Sequence, residues 1–476
     1  MNFIGICLDT FRADIIGKGK KLSFVETPNL DAFAREGVAF DRAFGEGQPT
    51  LQIRRAFFTG CRSFPWRYNF DRRGHYHHAA GWHKIPPHQD TLAEILLARG
   101  YNTGLVADVY HMFKPTMNYS RGFVSYEFIR GQESDNWKPG SPRLIEKQIK
   151  RHVKEPINWK KHSTLVQYLL NNKDRKSEED YFVARVMRTA ADRLEAMKDT
   201  KPFFLWVEAF DPHEPWDPPA KYADKYCPNY TGRDYIMPGA AWENEPATLK
   251  EIERIRALYY GEVTFVDKWV GYFLKKIDDL GLRDDTIVMV LSDHGTQVYD
   301  DGGFGKGGEN LRSYNTGIVW HVRHPDGPTD RHVSGFVQSH DVMPTILHLL
   351  DVPCDVEGQN VWPLVTGETD CIRDHVVIGW AGWANGPAVG HASVRDDEWN
   401  YTVAVGQEDK DPKLYHLPGD PEEKKNVVAE HPDVVRKQRR RIETVNGRPL
   451  PSQQIEVCDH TPSPIAEYLK LNAPTE

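Results

Sequence analysis

Phe3-Ile4-Gly5-Ile6-Cys7-Leu8-Asp9-Thr10 opens the chain with an apolar run that stops at a carboxylate. Six successive residues without a charged side chain suit a strand covered on both faces. Two later runs have the same texture, Pro202–Glu208 and Thr286–Leu291, and the second leads into Ser292-Asp293-His294-Gly295. Segments with helical signals separate these runs. Such alternation predicts an α/β fold, a large and mostly parallel sheet sandwiched by helices. Ligands of these sheets bind beyond the carboxyl ends of the strands. Asp9 and Asp293-His294 occupy two such ends.

Working outward, Pro28–Glu36 reads as a helix with Thr27 as N-cap, Pro28 at its first position and Gly37 just past its end. Leu51–Thr59 reads as a second helix closed by Gly60, which puts Thr50 at its N-terminus. Asp90–Arg99 is a third, with Thr91 and Glu94 spaced as a capping box and Gly100 as the stop; a strand over Thr103–Val106 follows. Residues 115–200 show no clear period and read as insertions and surface helices. Ala247–Leu280 has helical periodicity interrupted only by Gly261 and Gly271. After about residue 365 the texture changes: Val376–Trp380, Tyr401–Val405 and Lys413–Leu417 are short strand-like runs ahead of a charged helix from Pro432 to about Val445. The expected division is a catalytic α/β domain over 1–365 and a smaller C-terminal α+β domain with an antiparallel sheet over 366–476.

The 476 residues carry a formal charge of −8 with both signs interspersed. Arg436–Arg441 is the one basic tract that stands out, so a nucleic-acid groove is not expected. The six cysteines are scattered, without a CxxC pair or zinc-ligand spacing. The opening apolar run is too short for a signal peptide and lacks a basic leader. No apolar run approaches the ~20 residues that span a bilayer. A cytoplasmic protein with reduced thiols is the expectation.

Two acidic motifs at neighbouring strand ends can converge on one cation. Two carboxylates and an imidazole (Asp9, Asp293, His294) suit Mn²⁺ or Zn²⁺ better than Ca²⁺, which prefers oxygen ligands throughout; the alternative is that each Asp only caps its loop. Thr50 sits where a helix N-terminus stabilises an alkoxide or a bound anion, a place it could also fill as a plain N-cap. Arg54 follows one turn later on the same face, while Arg55 reads as solvated or surface-paired. His213, in Phe210-Asp211-Pro212-His213-Glu214-Pro215, follows a buried strand, and Lys306 lies in the Gly-rich loop 302–308. His340 and His391, with Asp211 and His213, are the residues available for a second metal. The tract His75–His88 reads as a substrate-side loop or plain surface.

Taken in order, Asp9-Thr10-Phe11-Arg12-Ala13-Asp14, Thr27-Pro28-Asn29-Leu30-Asp31, Thr50 through Arg54 to Thr59-Gly60, Ser292-Asp293-His294-Gly295, Gly305-Lys306, Met343-Pro344-Thr345 and Leu414-Tyr415-His416-Leu417 with Asp420-Pro421 resemble the sulfatase branch of the alkaline phosphatase superfamily over essentially the whole chain. The resemblance implies the alkaline-phosphatase-like fold. In that branch the nucleophile segment reads Cys/Ser-x-Pro-x-Arg and the Cys or Ser is oxidised to formylglycine. Here Thr50 and Gln52 stand at the nucleophile and Pro positions. Thr carries a methyl on Cβ, so its oxidation gives a ketone, and no formylglycine is expected.

Asp9-Thr10 and Asp293-His294 look like the phosphonate monoester hydrolase and phosphodiesterase subgroup. That likeness implies one divalent ion, Mn²⁺ first and Zn²⁺ or Ca²⁺ after it, held by Asp9, Asp293, His294 and Thr50. His213 matches a family His that contacts non-bridging oxygens or protonates the leaving group. His111 aligns with the His of a sulfatase Gly-Lys-Trp-His-Leu segment whose Lys is Val109 here, and Asp301 stands where many relatives have His. Thr serves as nucleophile in other branches of the superfamily.

The function implied is a metal-dependent hydrolase cleaving phosphodiesters or phosphonate monoesters through a covalent Thr50 intermediate, with Thr50, Arg54, His213 and Lys306 catalytic and His111 and Lys306 binding substrate. A sulfate ester hydrolase working without formylglycine and a metal-binding pseudoenzyme remain alternatives. A phosphoryl transferase is disfavoured, because members of that type usually bring membrane helices. The expected partner is a small phospho- or sulfo-ester, with a homo-oligomer left open, and the aromatic-rich stretch from Tyr119 to Trp159 is expected to shape specificity.

Overall fold

A computed structural model of the chain describes residues 1–66, 81–82, 84–113, 117–154, 162–242, 245–380, 390–406 and 412–452. The strands that matter here are β1 (Asn2–Leu8), β2 (Val38–Phe40), β3 (Gly47–Gln48), β4 (Asn102–Ala107), β5 (Ser125–Phe128), β6 (Phe203–Ala209), β7 (Thr286–Ser292), β8 (Trp320–Arg323), β9 (Arg331–Val333), β10 (Val376–Trp380), β11 (His391–Arg395), β12 (Trp399–Ala404) and β13 (Lys413–His416). Eight of them form one sheet in the order β9-β2-β8-β7-β1-β6-β4-β5. Within it β8 runs antiparallel to both neighbours, and the other pairs are parallel.

Register decides where the chemistry goes. Leu8 pairs with Ala209 on one side and Ser292 on the other. The next residue of β1 is Asp9 and the next of β7 is Asp293, so the two carboxylates leave the sheet side by side. Alternation along β1 divides the core in two. Ile4, Ile6 and Leu8 face one apolar layer, and Phe3 and Cys7 face the other. Gly5 belongs to the second face, where a Cβ would stand 2.4 Å from the Trp206 ring.

The helices that matter here are α1 (Pro28–Arg35), α2 (Thr50–Thr59), α3 (Leu92–Ala98), α4 (Phe182–Met197), α5 (Leu249–Asp279) and α6 (Pro432–Asn446). The Thr91–Glu94 capping box is formed as expected, and Gly60 and Gly100 end their helices at positive φ. Gly37 does not act as a left-handed stop. A Cβ there would lie 2.1 Å from the Val322 carbonyl oxygen, so this glycine lets α1 approach β8. Thr27 occupies the N-cap position, but its hydroxyl donates to the Ile15 carbonyl and does not cap the helix.

The reading of residues 115–200 as surface helices is corrected. In α4 Phe182, Val183, Val186, Met187, Ala190 and Leu194 are buried against the sheet. The charged residues interleaved with them hide that stripe from a composition-based reading. Helix α5 runs unbroken for 31 residues through both glycines. At Gly261 the helix Ala220–Tyr226 passes so close that a Cβ would be 2.7 Å from the Ala223 nitrogen. Helical hydrogen bonds tolerate glycine when packing needs the space.

A second, five-stranded sheet has the order β13-β12-β11-β10-β3. Strand β11 had no counterpart in the sequence reading, and this sheet is not built from C-terminal residues alone. Its edge strand β3 pairs parallel with β10, Gly47 opposite Gly379 and Gln48 opposite Trp380. The smaller sheet is thereby tied to the residues immediately before Thr50.

Candidate metal centre and active site

Asp9 is fully buried, and the backbone beyond it turns sharply. Thr10 takes φ +60°, a left-handed conformation that costs a β-branched residue appreciable strain. Three bonds hold the turn: the Thr10 N–H donates to Asp293 Oδ1 at 2.9 Å, its hydroxyl donates to Asp9 Oδ1 at 2.7 Å, and its carbonyl accepts from the Tyr259 hydroxyl at 3.0 Å. The turn thus fixes both carboxylates.

His294 donates from Nδ1 to the Gly295 carbonyl at 2.9 Å, since a carbonyl can only accept. That leaves Nε2 as a bare lone pair. Nε2 is buried with no hydrogen-bond partner among the described residues, and so is Asp9 Oδ2. Burial pushes the His294 pKa down to about 4, against the pull of Asp293, so the ring is neutral at pH 7. Ligand atoms of Asp9, Asp293 and His294 lie within 4.8 Å of one another, the one such group among the described residues. Two carboxylates and an imidazole with its far nitrogen anchored on a carbonyl are a donor set for a divalent ion. The orphaned Nε2, beside an Asp9 Oδ2 that accepts no hydrogen bond, fits such an ion.

Arg54 reaches into the same cluster. Its Nη1 stands 2.7 Å from Asp293 Oδ2, 3.2 Å from Asp9 Oδ2 and 3.1 Å from the Thr50 carbonyl oxygen. Its Nε donates to Glu208 Oε2 at 2.9 Å. Thr50 is the first residue of α2, is buried, and follows Pro49, which occupies the N-cap position. Burial and the Asp293 charge push Asp9 well above the ordinary carboxylate range, with Arg54 opposing. Burial also works against the Arg54 charge, yet Glu208, Asp293 and Asp9 outweigh it and keep the guanidinium protonated. The sequence reading missed Glu208. A glutamate inside the otherwise apolar run Phe203–Ala209 was the available signal.

Lys306 stands beside this cluster. Its ammonium donates to the Thr10 hydroxyl at 3.1 Å and to Glu214 Oε2 at 3.3 Å. His213 donates from Nδ1 to the Glu214 carbonyl at 2.6 Å and stacks on Phe210 with ring centroids 4.2 Å apart. Burial lowers the His213 pKa, so its Nε2 is an acceptor at rest. His111 packs tilted against Tyr110 with ring centroids 3.9 Å apart, lies 6.1 Å from Phe210, and brings Nε2 to 3.5 Å from Glu133 Oε2. Through Phe210 the two histidines belong to one aromatic wall.

Other expectations change. Arg55 is buried and donates to the Gly81 carbonyl at 2.6 Å, so it is neither solvated nor surface-paired. Asp211 turns away from His213: its oxygens accept from Gln132 at 2.6 Å and from the Val183 N–H at 2.9 Å. It is spent inside the fold and unsuited to a second metal. His340 is buried beside Asp341, 3.8 Å away, and His391 lies on β11; neither joins a three-ligand group among the described residues. Asp301 pairs with Arg312 at 2.6 Å. Residues 75–80 and 83 of the tract His75–His88 lie outside the described residues, as do residues 155–161 of the aromatic-rich stretch. A cavity of about 680 Å³ lies past the far end of α2, lined by Arg55, Arg62, Ser63 and Glu357 among others, and does not include the carboxylate cluster.

A sulfatase family model matches residues 1–352. The chain belongs to the sulfatase family. This sulfatase-family protein is 26% identical over 401 residues to the arylsulfatase of Clostridium perfringens, covering 79% of this chain and 80% of the relative. It is 26% identical over 436 residues to the multifunctional alkaline phosphatase superfamily protein PehA of Trinickia caryophylli, covering 76% and 77%. Its fold matches the phosphonate monoester hydrolase of Agrobacterium radiobacter with a TM-score of 0.72 at 20% identity, over 94% of this chain and 95% of that one. The family is one of metal-dependent ester hydrolases with an alkaline-phosphatase-like fold. No helix among the described residues is long and apolar enough to cross a membrane.

Proposed function

We propose that this protein hydrolyses phosphodiesters or phosphonate monoesters through a covalent intermediate on Thr50. The observation that carries the reading is residue 50 itself: a secondary hydroxyl on the first residue of α2, whose carbonyl shares a guanidinium nitrogen with Asp293. A formylglycine hydrate has two hydroxyls, one to attack and one to expel the bound group. Thr50 has one, so its adduct must be opened by water. Phosphoryl adducts are opened readily by in-line attack, whereas a sulfo-threonine lacks that easy exit.

A divalent ion held by Asp9, Asp293, His294 and Thr50, Mn²⁺ first, would supply Lewis acidity that acidifies the Thr50 hydroxyl and screens charge on the ester oxygens. Thr50 Oγ1 forms the bond to phosphorus as the bond to the leaving oxygen breaks, and the hydroxyl proton ends on that oxygen. Water then attacks phosphorus, the Thr50 bond breaks, and Thr50 recovers a proton. Arg54 holds the nucleophile's helix and the carboxylates in register. Lys306 and His111 bind the non-bridging oxygens. His213 presents an unprotonated Nε2, suited to take the proton of the incoming water.

Residues 1–365 form the catalytic unit in this reading and residues 366–476 the smaller one. The five described cysteines are free thiols, in keeping with a reducing, cytoplasmic setting. A second reading, sulfate ester hydrolysis by an unoxidised Thr50, is favoured by the likeness to an arylsulfatase.

A matched p-nitrophenyl panel separates the two readings. Protein loaded with Mn²⁺, Zn²⁺ or Ca²⁺ is assayed on a sulfate, a phosphate monoester, a phosphodiester and a phenylphosphonate. Diester or phosphonate turnover that collapses in Thr50→Ala is the expected result. Turnover of sulfate alone sinks the phosphoester reading.

A further inference from the structure

Glu214 has no part in the reaction above, yet its carboxylate stands on the ammonium assigned to the ester oxygens. Glu214 Oε2 is 3.3 Å from Lys306 Nζ and 3.5 Å from His213 Nδ1. Lys306 has only one other bond among the described residues, to the Thr10 hydroxyl, which itself bonds Asp9. The Glu214 side chain keeps 18% of its surface exposed, enough to feel a ligand on this wall. Burial raises its pKa, but the Lys306 ammonium beside it outweighs burial and holds the carboxyl below the usual range, so it is ionised throughout the neutral range.

The reactions open to this site share a change of charge. A phosphodiester becomes a phosphate monoester, a phosphonate monoester a phosphonate, and a sulfate ester a sulfate. In each, a singly charged ester and water give an alcohol, a proton and an oxyanion that is doubly charged above its second pKa, about 6 for phosphate monoesters. A site that gripped dianions with an unopposed lysine would hold its product more tightly than its substrate.

We propose that Glu214 sets, through Lys306, the charge this oxyanion subsite accepts: it half-neutralises the ammonium, so that the subsite keeps monoanionic esters and repels dianions. Phosphate monoesters are thereby disfavoured as substrates, and the dianionic product leaves faster. The proposal rests on the reading that Lys306 binds the ester oxygens. Glu214 is a positioning residue, since it acts on the ligand by way of Lys306 and the field at the wall. Each negative charge on a ligand about 6 Å from the carboxylate, on the far side of the ammonium, costs about tenfold in affinity at a dielectric of about 40, between the surface and bulk-water values, so a dianion loses about tenfold more than a monoanion.

Glu214→Gln keeps the side chain's size and an oxygen that can accept from Lys306, and removes only the charge. In full-length metal-loaded protein, the competitive inhibition constants of inorganic phosphate and sulfate are compared with those of dimethyl phosphate and methyl sulfate. Calorimetric binding of the same four ions to the Thr50→Ala protein gives a readout independent of turnover. The expected result is that Glu214→Gln binds the monoanions about tenfold and the dianions about a hundredfold more tightly, a shift of about tenfold in the discrimination between the two charge classes. Glu214→Asp, which keeps the charge, should keep the wild-type discrimination and guards against a folding artefact.

Equal changes for both charge classes, no change for either, or the same loss of discrimination in Glu214→Asp as in Glu214→Gln would each overturn the proposal. Failure of the underlying readings looks different. If Lys306→Met leaves all four affinities unaltered, Lys306 does not bind the ester oxygens and the proposal falls with it. If only sulfate esters turn over, the phosphoester reading fails while sulfate against methyl sulfate still tests Glu214.

Discussion

Arg54 donates from Nε to Glu208 Oε2 across 2.9 Å, and both side chains are fully buried. The pair ties α2, one turn beyond Thr50, to β6. Because the same guanidinium touches Asp293 and Asp9, the helix that presents Thr50 is fixed to three strand ends by one residue. Buried ions are tolerated only where every partner is present, so the cluster has to be complete to be stable.

Removing Arg54 should therefore destabilise the fold strongly. Arg54→Ala leaves Asp9, Asp293 and Glu208 facing one another without a counter-charge, an expected loss of about 3–5 kcal/mol by urea denaturation of the metal-free protein. Arg54→Lys should recover only part of it, since an ammonium cannot reach Glu208 and Asp293 with a planar fork. A loss under 1 kcal/mol in Arg54→Ala would show that the cluster relaxes into water.

Metal should stabilise the chain through His294. A ligand at 100 times its dissociation constant adds about 2.7 kcal/mol to a folded state that alone binds it. Added Mn²⁺ or Zn²⁺ should raise the melting temperature of chelator-treated protein, and His294→Ala should abolish that rise. Equal metal-induced shifts in the two proteins would place the ion elsewhere.

Thr50→Ala should lower kcat by a factor on the order of 10³ or more, as loss of a covalent nucleophile does. Thr50→Ser retains a hydroxyl at the same place and should stay within about tenfold of wild type. Peptide mass spectrometry of acid-quenched turnover mixtures should find on Thr50 the alkyl-phosphoryl group of a diester substrate or the phosphonyl group of a phosphonate. An Ala variant as active as Ser would rule out a covalent adduct at this residue.

Two buried histidines should make the fold less stable in acid. Burial pushes His321 down to about 4 and His340 down to about 3, and neither is among the three residues of the carboxylate cluster. Their folded pKa values lie below the ordinary 6.5, so the unfolded chain binds protons first. Their contribution to stability is then complete above pH 6.5 and is lost as pH drops from 6.5 towards 4, by roughly 1.4 kcal/mol per pH unit for each histidine. Chemical denaturation of metal-free protein across this range should show the slope, and His321→Gln should remove one histidine's share. An unchanged slope in that variant would mean that His321 titrates alike in both states.

Much of the fold was legible because its signals are local. Apolar runs of strand length gave β1, β6 and β7 to within a residue at each end, and Thr91 with Glu94 gave the capping box that opens α3. Helix α4 was not legible, because charged residues interrupt its buried stripe. Strand β3 was not either: two residues carry no periodicity, and their partners lie more than 300 positions away.

At the site, the motifs at strand ends announced Asp9, Asp293 and His294, and helical spacing put Arg54 one turn beyond Thr50. The identity of residue 50, the absence of an oxidisable Cys or Ser there, and the order of motifs are facts of the sequence alone. What Arg54 touches is not. Glu208, Glu214 and the Thr10 turn were invisible as partners, since an ion pair or a strained φ is defined by residues brought together from distant parts of the chain. The parallel register of β1 with β7 converts two separate acidic motifs into a donor set within 4.8 Å. Only the tertiary structure decided that, because distances across a sheet are set by which strands pair and in what register, and neither is encoded in any one strand.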